Sequence, residues 1–175
     1  AAAAAAAGAA GADAKPLWQL DPEEFAVTAI QWVLKDFMSE GQVPTVCYLQ
    51  PAPPRNPASQ APPIGQVNIR PAFTTPENLI NCSEFLRQQA ADASAPAAAI
   101  VARKSSVGYP CVWKGKPKAE WSFDDKADGV FMQLESPKAR MMFFTVINET
   151  KGKRSIGDTV PLDVDSFGLF PRIFK

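Results

Sequence analysis

Apolar residues recur at helical spacing over 22–39. Val27, Ile30, Val33, Leu34 and Phe37 define one face, widened by Phe25, Trp32 and Met38, and Glu24, Thr28, Gln31, Lys35 and Ser39 form a polar stripe. The run opens at Asp21-Pro22-Glu23-Glu24, where Asp caps free backbone N–H groups, Pro suits the first helical position and Glu complements the helix dipole. Gly41 supplies the stop. This helix carries more apolar surface than one-sided packing uses, which predicts a central place in the fold or cover by another chain.

Thr74-Thr75-Pro76-Glu77 repeats the start chemistry and predicts a second helix over 76–90, with Leu79, Cys82 and Leu86 inward. Between the helices, 45–50 reads as a short strand, and the proline-rich stretch 51–63 as an extended, polyproline-like connector. After the small-residue linker 91–96, β-branched and aromatic runs predict strands over 98–103, 110–114, 119–123, 130–135 and 141–148, with a last strand over 162–165. The fold class is therefore α+β. Two helices pack on a mainly antiparallel sheet of about five strands, with extended N-terminal, proline-rich and C-terminal segments. Residues 1–20 read as a low-complexity arm and 21–175 as one α+β domain.

Composition sharpens this picture in three ways. With 46% hydrophobic residues over 175 positions, the chain can build one ordinary core. Eighteen basic residues balance eighteen acidic ones, so overall charge gives no case for nucleic acid or an anionic membrane. Histidine is absent, which removes Ser-His and Cys-His nucleophile pairs and His-containing zinc sites. Cys47, Cys82 and Cys111 lie far apart and read as packed thiols, and no apolar run reaches membrane-spanning length. The sequence starts at Ala1 without methionine and is rich in alanine and proline. These features point to an imported protein of an organelle interior, plastid or mitochondrion, and to an accessory subunit of an energy-converting complex.

Several short patterns carry candidate chemistry. Asp124, Asp128, Gly129 and Glu135 fall at calcium-loop positions, but Lys126 replaces a ligand and the flanks read as strands, which favours a hairpin turn. Trp113, Lys114, Lys116, Lys118 and Trp121 mix cations with stacking surfaces as single-stranded nucleic-acid or anion sites do, and Lys151, Lys153 and Arg154 could join them. Lysine-rich turns also keep sheet edges solvated, and the neutral charge balance weighs against nucleic acid. Asp124 and Asp125 point apart on a strand, Glu23 and Glu24 sit at a helix start where capping explains them, and Cys111 has no histidine to activate it. The sequons at Asn81 and Asn148 have no other sign of secretion beside them.

Phe167, Leu169, Phe170, Ile173 and Phe174 crowd the final stretch. Such a segment either closes the protein's own core or anchors a partner, and Trp32 on the broad helix joins it as a candidate interface residue. The reading that follows is a non-catalytic structural or accessory subunit, or an assembly factor, acting through contacts with other subunits of a larger assembly. It has no transmembrane segment, uses no cofactor or metal, and admits peripheral contact with a membrane complex. A Lys/Trp nucleic-acid or anion-binding hairpin is the alternative.

Overall fold

A computed structural model describes residues 15–56, 58, 62–107 and 127–174, and structural statements below concern these residues. The strands predicted over 110–114 and 119–123 lie outside them.

Helix α1 (Pro22–Glu40) begins with a complete capping box. The Glu24 backbone N–H donates to Asp21 Oδ1 at 2.8 Å, and the Asp21 N–H donates to Glu24 Oε2 at 3.0 Å. It ends at Gly41, whose left-handed φ of 74° lets its N–H close on the Phe37 carbonyl at 2.8 Å. Helix α2 (Pro76–Asp92) is capped by Thr75, whose hydroxyl accepts from the Asn78 N–H. Both helices start where the sequence predicts and run slightly further. No helix among the described residues is long and apolar enough to cross a membrane.

The strands are β1 (Val46–Leu49), β2 (Gly65–Asn68), β3 (Ala98–Arg103), β4 (Gly129–Glu135), β5 (Arg140–Thr150) and β6 (Lys153–Leu162). They form one antiparallel sheet in the order β2-β1-β3-β4-β5-β6. The α+β class thus holds, with six strands in place of about five. Two of the six were not expected from the sequence: β2, a four-residue edge, and β6, whose polar sequence with Gly157 and Pro161 hides any alternation. The last strand expected over 162–165 is corrected. β6 ends at Leu162, and the Asp163 side chain accepts from the Asp165 N–H to start a short helix α3 (Val164–Phe167).

Strand alternation divides the core in two. On one face Cys47, Leu49, Ile100, Phe131, Met142 and Phe144 pack under α2 and the 167–173 segment. On the other, Val46, Tyr48, Val101, Val130, Met132 and Leu134 pack under α1. Ala97 and Ala99 share this cluster with Ala26 and Ala29 of α1, and the helix packs across β3 and β4 and reaches β6. Leu17 and Leu20 extend this cover, with the Gln50 side-chain amide donating to both of their carbonyls at 2.8 Å.

Two buried polar residues on β4 hold the closing segment. Gln133, fully buried, accepts from the Leu169 and Phe170 N–H groups at 2.7 and 3.0 Å and donates to the Phe170 carbonyl at 2.9 Å. Glu135 accepts from the Ile173 N–H at 3.0 Å and pairs with Arg140 at 2.7 Å. An irregular segment brings backbone groups that no strand partners, and these side chains satisfy them.

Gln133→Leu keeps roughly the same shape but strands two buried N–H groups, so stability should fall by roughly 2–4 kcal/mol in urea titration. Phe170→Ala, which empties a core position between Phe73 and the sheet, should cost about 3–5 kcal/mol in the same titration. A loss below about 1 kcal/mol in both would show that the segment is not part of the cooperative core.

Candidate functional site

The face of α1 that enters the core consists of Phe25, Ala26, Ala29, Trp32, Val33 and Phe37. This is rotated from the face predicted through Val27, Ile30 and Leu34. Those residues, with Met38, instead form a stripe at spacings of three, four and four along the flank of the helix. Val27 is 53% exposed and Met38 43%, while Ile30 and Leu34 are half-buried. The signal for the true inward face was Ala26 and Ala29, which a reading weighted to large side chains passes over.

Beside this flank the α1 side of β5 presents Met141 and Phe143, and paired β6 presents Thr159, Pro161 and Ile156. The Thr145 and Thr159 hydroxyls hydrogen-bond across the two strands at 2.9 Å, and Ile156 is 41% exposed. Together Val27, Ile30, Leu34, Met132, Met141 and Phe143 wall an apolar cleft of about 200 Å³. It lies beside the 23–34 part of α1; the helix packs on β3 and β4 and also contacts β6, where Arg154 meets the Met38 carbonyl.

Glu23 lies at the end of the cleft by the α1 N-terminus. At the other end of α1 the β5–β6 turn places Lys151 and Gly152 at φ of 51° and 78°, the two-residue geometry that matches strand twist. Lys151 and Lys153 are exposed there, with Arg154 on the α1 side of the sheet and Lys153, the next residue along the strand, on the reverse. Arg154 bridges Glu149 at 3.1 Å and the Met38 carbonyl at 3.2 Å, tying the hairpin to the last turn of α1. A Cβ at position 41 would come within 2.8 Å of the Arg154 guanidinium, so Gly41 both turns the chain and leaves room for this strut. Asp36, held above its ordinary value by burial and then by Glu40, acts on Tyr48 on β1 and so belongs to the opposite flank of α1.

The sequence-derived candidates are placed as follows. Trp32 is buried edge-on against Tyr48, with ring centroids 5.6 Å apart. Phe167, Leu169, Phe170 and Ile173 are buried under α2, and Phe174 is half-buried against the same cluster. All six are used by the chain's own core, because the segment that carries five of them is locked to Gln133 and Glu135. Trp113, Lys114, Lys116, Lys118 and Trp121 lie outside the described residues, as do Cys111, Asp124 and Asp125. Of the calcium-loop positions, Asp128 bonds Arg103 at 2.6 and 3.0 Å, Glu135 bonds Arg140, and Gly129 already begins β4.

Cys47 and Tyr48 on β1 and Cys82 on α2 keep their protons to higher pH than in water. Burial, with smaller effects from Cys82 and Glu135, pushes the Cys47 thiol well above its ordinary value of 9.0, and burial also raises Cys82. Burial and then Asp36 push the Tyr48 hydroxyl from 10.0 up to about 12. In each case the fold keeps a proton that the unfolded chain releases, so this stability is complete below the ordinary value and is lost as pH rises. Urea midpoints should therefore decline from about pH 9 as unfolded thiols ionise, and further between pH 10 and about 12 through Tyr48. Tyr48→Phe should remove the second decline, and an unchanged profile would refute the assignment to Tyr48.

Comparison with known proteins gave no match: no family model, no curated protein and no solved structure is significantly similar to this chain.

Proposed function

We propose that the chain is a non-catalytic structural or accessory subunit, or an assembly factor, of a larger protein complex, and that it acts through protein contacts at the α1/β5–β6 cleft. The observation that carries this reading is the composition of β5. Its Met142 and Phe144 pack under the closing segment, yet Met141 and Phe143 on the reverse are also apolar. A strand apolar on both faces belongs to a sheet covered on both faces, whereas a solvated face alternates with polar residues. The flank of α1 across the cleft is apolar in the same way, and contiguous apolar surface of this kind is what protein contacts bury.

The reading needs no catalytic group, and it extends to peripheral contact with a membrane complex and to an organelle interior. The nucleic-acid alternative has a smaller described basis. Lys151 and Lys153 project from an exposed turn, while Arg154 is bonded to Glu149 and Met38.

In a gentle extract of native tissue, size-exclusion chromatography should find this chain in an assembly much larger than the lone polypeptide. Val27→Glu, at an exposed position, should leave thermal stability within about 0.5 kcal/mol and shift the chain to the free fraction. Migration of the wild-type chain as a lone polypeptide would overturn the proposal.

A further inference from the structure

We infer that the polar groove at the C-terminal end of α1 binds a phosphate ester, with Arg70 and Arg103 as its cationic contacts. The groove shares no described lining residue with the cleft beside Val27, Ile30 and Leu34, and the inference is independent of the proposed role in protein contacts.

The groove, about 810 Å³, opens where three strands end together. β1 starts at Val46, with Asn68 at the finish of β2 on one side of it and Val101, near the finish of β3, on the other. Antiparallel neighbours thus bring three connections to one end of the sheet: 41–45 out of α1, the turn that opens at Arg70, and the turn over 104–106 after β3.

The side chains these connections supply are polar and uncommitted. Thr45 and Ser106 are half-buried and Gln42, Gln66 and Ser105 are exposed, and among the described residues none of the five side chains makes a hydrogen bond. Elsewhere the same residue types are engaged: Thr28, Ser83, Ser136 and Gln133 all bond backbone groups. A few convergent polar groups with unused donors and acceptors are what orients a ligand in a pocket.

The arginines add charge. Arg70 is exposed, its N–H donates to Asn68 Oδ1 at 3.0 Å, and among the described residues its guanidinium has no carboxylate partner. Arg103 is fixed from two sides: Nε and Nη2 donate to Asp128 Oδ2 at 3.0 and 2.6 Å, and the guanidinium lies 5.7 Å from the centre of the Phe37 ring. Its Nη1 remains for a ligand. No Asp or Glu lines the groove among the described residues. Just outside the lining, Lys104 offsets Glu40 in charge and Glu149 is bonded to Arg154, so the positive charge left over is that of Arg70.

A guanidinium matches carboxylate and phosphate alike. A carboxylate presents two oxygens in one plane, whereas a phosphate group presents acceptors in several directions and can take Arg70, Arg103 Nη1 and the nearby hydroxyls at once. The Gln42 and Gln66 amides are then left for the polar group that bears it. A free nucleotide and a nucleic-acid strand both offer this chemistry.

The test uses the full chain at low salt with inorganic phosphate, adenosine, adenosine monophosphate and a thymidine strand of about 12 nucleotides. Amide NMR shifts should centre on Gln42, Arg70, Ser105 and Ser106 with phosphate and with the monophosphate, and should be absent with adenosine. Arg70→Ala, at an exposed position, should leave the urea midpoint unchanged and weaken the monophosphate about tenfold, with Arg70→Lys recovering part of the loss. Lys138→Ala, at an exposed position at the opposite end of the sheet, should change nothing. A strand that binds about tenfold tighter than the monophosphate and weakens more steeply with salt identifies nucleic acid as the source, and equal affinities identify a free phosphate ester. Adenosine binding as well as its monophosphate, equal losses from Arg70→Ala and Lys138→Ala, or shifts centred away from the groove would overturn the inference.

Discussion

Everything in the described fold follows from the need to cover both faces of a six-stranded sheet with the two long helices among the described residues. Six strands span ~24 Å between their outer axes, and each helix shelters ~10 Å of that width. On the α2 side the shortfall is made up by α3 and the irregular segment that follows it, which lays Phe167, Leu169, Phe170 and Ile173 against the sheet. On the α1 side Leu17 and Leu20 join the cover, held by Gln50, α1 meets β6 at Arg154, and among the described residues a cleft stays open beside Val27, Ile30 and Leu34.

Covering a sheet with irregular chain has a cost that a helix does not incur, since its backbone groups arrive unpaired. The interior of β4 is polar for that reason. Gln133 offers the segment both an acceptor and a donor, reproducing what a neighbouring strand would provide, and Glu135 takes the next free N–H with Arg140 balancing its charge. Removing either polar side chain leaves uncompensated groups in a low-dielectric interior, so the segment can lie on the strand in this register only while Gln133 and Glu135 meet its backbone groups.

The elements that could be read from the sequence are those whose signals are local. Asp21 with Glu24, Thr75 and Gly41 mark helix ends by hydrogen bonds made within a few residues, and β3, β4 and β5 are apolar enough to declare themselves. What escaped depends on distant partners. β6 is a strand because β5 pairs with it, not because Lys153-Arg154-Ser155 or Pro161 favours one. Gln133 is indistinguishable from a surface glutamine until the segment some 36 residues later folds over it. The cleft was legible only as a surplus: too much apolar surface on one helix and an uninterrupted apolar run in β5. Which flank stayed open turned on Ala26 and Ala29, whose small size draws α1 over the alanines of β3 and sets its rotation.

That rotation also decides how well the cleft can bind. Affinity is lost when the receiving surface must be ordered on association, and here both walls are fixed beforehand. The capping box sets the first turn of α1, Gly41 ends it, and Arg154 spans the gap from Glu149 on β5 to the Met38 carbonyl. The strut holds the helix and the hairpin at one separation, with Gly41 providing the space it needs. A cleft braced in this way cannot narrow by a shift of the helix toward the hairpin, so among the described residues Val27, Met141 and Phe143 keep the partial exposure the fold gives them.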